Sequence, residues 1–429
     1  MEEEVHEVDY CELPAIVWVN IMKHLSLGDR YNLSLTCHCL HGYFNHPSLW
    51  SVANIKLIEC STNFYTSDVN TAMPSKTVKL IQTFGKFFQI LHLQLRGHLG
   101  HLEKTTKELL QSITDNCRLQ VLTLEVWLMT SNYHLHGNAP GYEEIECMLK
   151  LIEEAYRLKE LNIISWPMFP ALENYRRGNI FQVLLQNNKI KNLESLNLFC
   201  PTDCSWSDQE LILPSREFTK QIISHFRNLK QLSLRSPMMS EQLLTELMSP
   251  GRTKLQVLQI FINYSLHEKQ YEMPLISNEM WKRFKNANPG LVVECRVMSR
   301  IGCDALLEQF LKPEIPLKSL TIFKYGKCSK TLLGYISENY SKTFEGLICL
   351  CDVVNNDTAV LHLVKSCSKL NQLVMHAGIR LVTILSISQM PRVWVKFSFD
   401  DKNIKCLADV NPKDEWKKIR EVWGLTPTN

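Results

Sequence analysis

The sequence reads as an α/β chain in two parts: a three-helix unit at its start, then an array of strand–helix repeats stacked as a solenoid, with a curved parallel sheet and helices outside it. Three observations carry that reading. Residues 12–30, ELPAIVWVNIMKHLSLGDR, run through Ile16, Val17, Trp18 and Val19 without a polar break, with Ile21, Met22 and Leu25 close behind. From Phe88 onward a phrase of the form L-x-x-L-x-L keeps returning. Stretches before the phrases place apolar residues three and four apart, the spacing of one helical face.

Residues 1–10, MEEEVHEVDY, form an acidic tail, whereas a secretory leader needs a basic start and an apolar core. Residues 11–55 make the helical unit. Pro14 suits a first helical turn, and Leu13, Val17, Ile21 and Leu25 follow at i+4 spacing as one apolar stripe. Ile16, Trp18, Val19 and Met22 lie off that stripe, so the helix is apolar on more than one face. Gly28 then breaks the pattern, Leu33, Leu35, Cys37 and Leu40 begin another, and HPSLW closes the unit on Trp50. Three short helices build too small a core to be stable unaided. The surplus face is covered either by a partner or by the rest of the chain.

The order Leu13-Pro14, Ile21-Met22, Leu25, Leu27, Asp29-Arg30, Leu33, Cys37, Phe44, Pro47 and Leu49-Trp50 resembles an F-box. Ala15, Gly28 and Leu40 depart from that family's pattern. The resemblance implies a helical motif that docks on the Skp adaptor, and through it on a cullin. Carried over by position, it makes Leu13, Pro14, Ile21, Leu25 and Leu27 the adaptor contacts.

Residues 56–87 read as a linker or capping region, and residues 88–399 as the repeats. The phrase appears at Phe88, Leu119, Leu158, Leu193, Leu229, Leu255, Leu317, Phe344 and Leu370, with degenerate copies near Leu291 and Met390. The shorter intervals match the 20–29 residues of leucine-rich repeats and the longer ones imply insertions. Helical patterns such as TKELLQSITDNC and REFTKQIISHF precede the phrases. A doubly wound α/β domain also alternates helix and strand, but its strands, buried on both faces, are continuously apolar. Here Asn162, Asn197, Ser233, Gln259 and Thr321 interrupt the apolar positions, which favours the solenoid. An F-box followed by such repeats resembles the F-box/leucine-rich-repeat family. That resemblance implies a substrate-recognition subunit of an SCF-type ubiquitin ligase whose repeats bind the protein to be ubiquitinated. A repeat scaffold without a ligase role is the alternative.

With the leucines inward, the intervening positions point to the concave face. They include His92, Arg96, Glu125, Trp127, Asn162, Trp166, Phe199, Arg235, Phe261, Phe323, Tyr325, Trp394 and Lys396. Aromatic side chains dominate binding hot spots. Trp127, Trp166, Phe199, Phe261, Phe323 and Trp394 are therefore the expected substrate contacts, unless insertions or the tail bury them as core. The insertions, 129–144 and 200–215, are further candidate contacts. In residues 400–429, Trp416, Ile419 and Trp423 draw a helical stripe that either caps the last repeat or binds a ligand.

Composition narrows the function classes. A net charge of +3 in 429 residues does not suit a general nucleic-acid or membrane-surface binder. No apolar run reaches the ~18 residues of a membrane span. The 15 cysteines are scattered without a C-x-x-C pair, as expected of free buried thiols in a cytoplasmic or nuclear protein. No phosphate loop, nucleophile elbow, H-E-x-x-H or dinucleotide fingerprint occurs, so neither catalysis, nor a metal, nor a cofactor is expected.

Overall fold

In the computed structural model the described residues are 13–58, 74–98, 104–129, 142–166, 180–201, 213–264, 275–299, 310–323, 328–351, 357–376 and 379–399. They belong to two compact units that divide between Leu193 and Glu194.

The first unit begins with α1 (Ala15–His24), α2 (Leu27–Ser34), α3 (His38–Phe44) and a 3-10 turn at Pro47–Leu49. Each start has a local cause. Pro14 precedes α1 in an extended conformation, and Ser26 accepts the Asp29 N–H through its hydroxyl while Asp29 adds negative charge to the first turn of α2. Val19, Met22, Leu40, Phe44, Leu49 and Trp50 form the unit's small core. The Trp50 indole N–H donates to the Phe44 carbonyl at 2.8 Å, which satisfies its one polar atom.

Strands β1 (Val52–Ile58), β2 (Ile90–His98), β3 (Val121–Met129) and β4 (Glu160–Ser165) follow, all parallel and paired in chain order. Between and after them run α4 (Pro74–Phe84), α5 (Lys104–Asn116), α6 (Tyr142–Glu154) and α7 (Ile180–Gln186), each packed on the next. A strand and a helix thus precede residue 88: β1 begins at Val52, and residues 56–87 hold its last three residues and all of α4. The phrase is hidden there because Ala53 occupies the place of Leu91, while Ile55 and Leu57 match Leu93 and Leu95.

The second unit has β5 (Ser195–Leu198), α8 (Arg216–His225), β6 (Gln231–Arg235), α9 (Glu241–Leu247), β7 (Val257–Tyr264), α10 (Asn278–Ala287) and β8 (Val292–Ser299). It continues with β9 (Leu317–Ile322), α11 (Lys330–Asn339), β10 (Gly346–Cys349), α12 (Asp357–Ser366), β11 (Gln372–Met375), α13 (Leu381–Ser388) and β12 (Lys396–Phe399). These eight strands are again parallel and in chain order. A doubly wound sheet would reverse its order at a switch point. The phrase residues are the core: Leu196, Leu232, Leu258, Val293, Leu320, Leu347 and Leu373 are fully buried. Each contributes roughly 1.5–3 kcal/mol.

Polar side chains close the helix ends that would otherwise be orphaned. Ser215, Ser240, Ser277 and Ser329 each accept an N–H from the first turn of the following helix. At the other end, Asn187 donates to the Ile152 carbonyl, Arg252 to those of Ile223 and Phe226, and Arg392 to that of Val364. Asn288 is buried with both of its amide atoms used, accepting from the Leu255 N–H at 2.9 Å and donating to the Phe284 carbonyl at 3.0 Å.

The register places one expected site residue just ahead of its strand. Lys396 pairs with Gln372, so Trp394 holds the place of Leu370 at the head of its phrase. It is half-buried between Arg392 and Phe397. The C-terminal stripe of Trp416, Ile419 and Trp423, Tyr325, and most of both insertions lie outside the described residues. The described cysteines are free thiols, and burial pushes those of Cys117, Cys200 and Cys295 up to about 12.

Candidate functional site: an apolar helical face and a strand-lined face

The three-helix unit turns only part of its apolar surface inward. Val19 and Met22 are buried on one side of α1, while Ile16 (61% exposed), Val17 and Ile21 stand open on the other. Tyr31 on α2 and Leu35 just after it (63% exposed) extend the open surface. Of the five expected adaptor contacts, Pro14 and Ile21 are exposed, whereas Leu13, Leu25 and Leu27 are half-buried. So much open apolar surface on so small a unit is what an interaction site looks like.

Arg30 fixes this arrangement. Its Nε donates to the Met22 carbonyl at 3.0 Å, and its two terminal nitrogens donate to the carbonyls of Leu49 (3.1 Å) and Leu25 (3.3 Å). The guanidinium also lies 5.9 Å from the centre of the Trp50 ring. One planar fork thus ties the end of α1 to α2 and the 3-10 turn. Nothing in the sequence marks Arg30 for that role beyond its place beside Asp29.

On the strand-lined face of the first unit, Glu125 gathers three hydrogen-bond donors from β2 and β3, with a histidine ring close by. It accepts from Gln94 and Arg96 at 2.8 Å and from the Trp127 indole at 2.9 Å, and the His92 ring lies 3.5 Å away. Burial raises the carboxyl's proton affinity, but the bonds from His92, Arg96, Trp127 and Gln94 outweigh it and hold the group at about 2. Arg96 remains partly open to solvent.

The second unit's strand-lined face is apolar in its middle. Cys200, Phe261, Met298 and Phe323 form one buried cluster with Leu350 packed against it. Arg235 is buried with them, 5.2 Å above the Phe261 ring, and its Nε donates to the Phe199 carbonyl. Phe199 has a positive φ of 64°, a conformation held by reciprocal bonds between Asn197 and the backbone of Cys200.

The expected substrate contacts are thus corrected in their exposure. Trp127, Trp166, Phe199, Phe261 and Phe323 are all buried, Trp166 to 1% exposure, and are not displayed to solvent. The reason lies in the neighbours: Glu125 binds the Trp127 edge, Arg235 covers Phe261, and Phe323 tilts against Phe261 with centroids 6.3 Å apart. Among the residues left partly accessible are His92, Arg96 and Asn162 in the first unit and Gln259, Glu294 and Arg296 in the second. Among the described residues no His, Cys, Asp and Glu group could hold a metal, and no helix is long and apolar enough to cross a membrane.

Comparison with known proteins agrees with both halves of this description. Residues 11–52 match the F-box domain model. The chain is 22% identical to F-box/LRR-repeat protein 21 of Mus musculus over 367 residues, which cover 85% of this chain and 76% of the relative. The Ovis aries protein of that name gives the same figures, and the Bos taurus one is 23% identical over the same shares. Among solved structures, a complex titled TLR13-ssRNA13 matches 69% of this chain and 50% of its own at 12% identity, with a TM-score of only 0.25. The chain carries an F-box domain at its start and strand–helix repeats after it, the organisation named in the F-box/LRR-repeat proteins it is similar to.

Proposed function

We propose that the protein is a substrate receptor of an SCF-type ubiquitin ligase, in which the helical unit binds a Skp-type adaptor, and through it cullin, while the repeats hold a partner protein for ubiquitination. The observation that carries the reading is the split within α1, whose buried Val19 and Met22 leave Ile16, Val17 and Ile21 open. On this reading Pro14 and Ile21 touch the adaptor directly, and Leu13, Leu25 and Leu27 shape the site's edge. On the same reading the buried rings floor the partner-binding surface of each unit, Trp127 and Trp166 in the first and Phe199, Phe261 and Phe323 in the second, with Trp394 as a contact near the second unit's last strand. No step in this role needs the chain itself to catalyse. The chemistry of transfer belongs to other subunits, and the receptor acts wherever its partner lies, in cytoplasm or nucleus.

A repeat scaffold without a ligase role has one observation in its favour. Trp50 stacks on Phe84 of α4, centroids 4.1 Å apart and planes 7° from parallel, so the helical unit does cap the first repeat. That contact uses Trp50 and not the open α1 face, which leaves both roles compatible. The test is capture of purified Skp-type adaptor by the full-length chain and by an Ile16→Asp, Ile21→Asp variant. Loss of capture with unchanged melting supports the receptor. Adaptor capture at undiminished affinity removes that face from the interface, and absence of capture by the unaltered chain leaves the scaffold.

A further inference from the structure

Two rows of side chains cross the strand-lined face of the second unit. The first runs Ser233, Gln259, Glu294, Ser319, one residue from each of β6 to β9. The second, two positions further along each strand at its start, runs Arg235, Phe261, Arg296, Thr321. The rows differ in electrical balance. In the first, Ser233 donates to Gln259 at 2.9 Å, Gln259 donates to Glu294 at 2.9 Å, and Lys318 stands 3.8 Å from Glu294 and 4.0 Å from Glu345. Its one carboxylate, Glu294, is matched by Lys318.

The second row carries two arginines and no acidic residue. Arg235 is spent on the Phe261 ring and the Phe199 carbonyl. Arg296 is half-buried, and one terminal nitrogen donates to the Pro201 carbonyl at 2.8 Å. Among the described residues no carboxylate lies within ion-pair distance of Arg296, because Glu294, its neighbour in the chain, is held by Gln259 and Lys318. A guanidinium drawn partly out of water beside the Cys200, Phe261, Met298 and Phe323 cluster attracts an anion more strongly than one in bulk solvent.

We infer that Arg296 receives a carboxylate-bearing segment of a partner protein, pairing an aspartate or glutamate, while Leu350, the half-buried residue packed on the adjoining cluster, meets a neighbouring aliphatic or aromatic side chain. The inference rests on the reading of the repeats as the partner-holding part, and gives that partner a chemistry. A polyanion fits less well. Binding along a phosphate backbone needs a track of cations, whereas this row offers one accessible arginine, with Glu294 in the neighbouring row.

The probe is a short fluorescein-labelled peptide of alternating aspartate and leucine, titrated into the full-length chain and followed by anisotropy beside its asparagine–leucine counterpart and a single-stranded oligonucleotide. The aspartate peptide is expected to bind at least about tenfold tighter than the asparagine one, as a charge-assisted pair requires. Arg296→Gln should erase that preference, Arg296→Lys should keep part of it, and Lys220→Gln on α8 should leave it unchanged. Equal affinity of the two peptides, a preference that survives Arg296→Gln, tighter binding of the oligonucleotide, or no peptide binding at all would overturn the inference. Adaptor capture by the same preparation separates the two levels: a chain that captures adaptor yet ignores the acidic peptide refutes this inference alone.

Discussion

Arg30 and Leu49 stand nineteen positions apart in the chain and are joined by a hydrogen bond of 3.1 Å from guanidinium to carbonyl. Arg30 makes two more such bonds, to Met22 and Leu25, so removing it takes a donor from three carbonyls of the helical unit, of which that of Met22 keeps the Leu25 N–H. Arg30→Ala is expected to destabilise that unit by about 2–3 kcal/mol, with Arg30→Lys recovering only part because an ammonium cannot span the fork. Hydrogen exchange across residues 15–50 should quicken while exchange in the second unit stays as it was. Unchanged protection of α1 and α2 would show that the fork is not what holds them.

The Glu125 carboxyl is held at about 2, well below its ordinary value of 4.5. A carboxyl depressed in the folded state contributes stability that is present in full above the unfolded value and is lost as the pH falls from about 4.5 towards 2. Glu125→Gln should flatten that part of the acid-unfolding curve of the first unit. The decisive reading is the difference in midpoint between the two proteins at pH 7 and at pH 3, which should shrink on acidification.

Phe261→Ala and Trp166→Ala test what the buried rings do. Both side chains are fully enclosed, so each truncation should cost about 3–5 kcal/mol of stability through lost burial and the cavity left behind. Chemical denaturation of the full chain would read this directly. A cost below about 1 kcal/mol would instead mark them as rings held ready for a partner, as their strand positions first suggest.

Asn288→Ala removes the acceptor for the Leu255 N–H and the donor to the Phe284 carbonyl, both in buried surroundings. The expected loss is about 1–3 kcal/mol, larger than for an exposed asparagine because the stranded backbone groups cannot reach water. Ser277→Ala, which removes a helix cap whose hydroxyl also donates to Glu241, should cost about 1 kcal/mol.

Much of the fold could be read from the chain because its cause is local. The L-x-x-L-x-L phrases locate β2 to β11 since inward leucines must recur in each strand, and β1 escapes only where Ala53 replaces the leucine. Trp394 is harder to place because MPRVWVKF does not show where its strand begins, and only pairing with β11 starts β12 at Lys396 and leaves Trp394 ahead of it, in the place of Leu370. The serine caps at Ser215, Ser240, Ser277 and Ser329 are legible as polar residues just ahead of apolar periodic runs. The exposure of the aromatic side chains was not legible. Alternation assigns a residue to a face but says nothing of what its neighbours across three strands will lay over it, as Arg235 does over Phe261.

In each unit the strands are hydrogen-bonded in the order in which the chain visits them, and that order governs how the molecule yields to force. Tension applied at Phe399 meets β12 first, which among the described residues pairs with β11 alone, through four residue pairs. Once it detaches, β11 becomes the outermost strand and meets the same load, held by its pairing to β10. Extension therefore proceeds as a succession of small ruptures and not one large one, each releasing a single strand and helix while the inner pairs stay in register. An unfoldase drawing on this end would meet a series of low barriers, and a pull relaxed midway would leave an intact template on which the freed repeats could re-form.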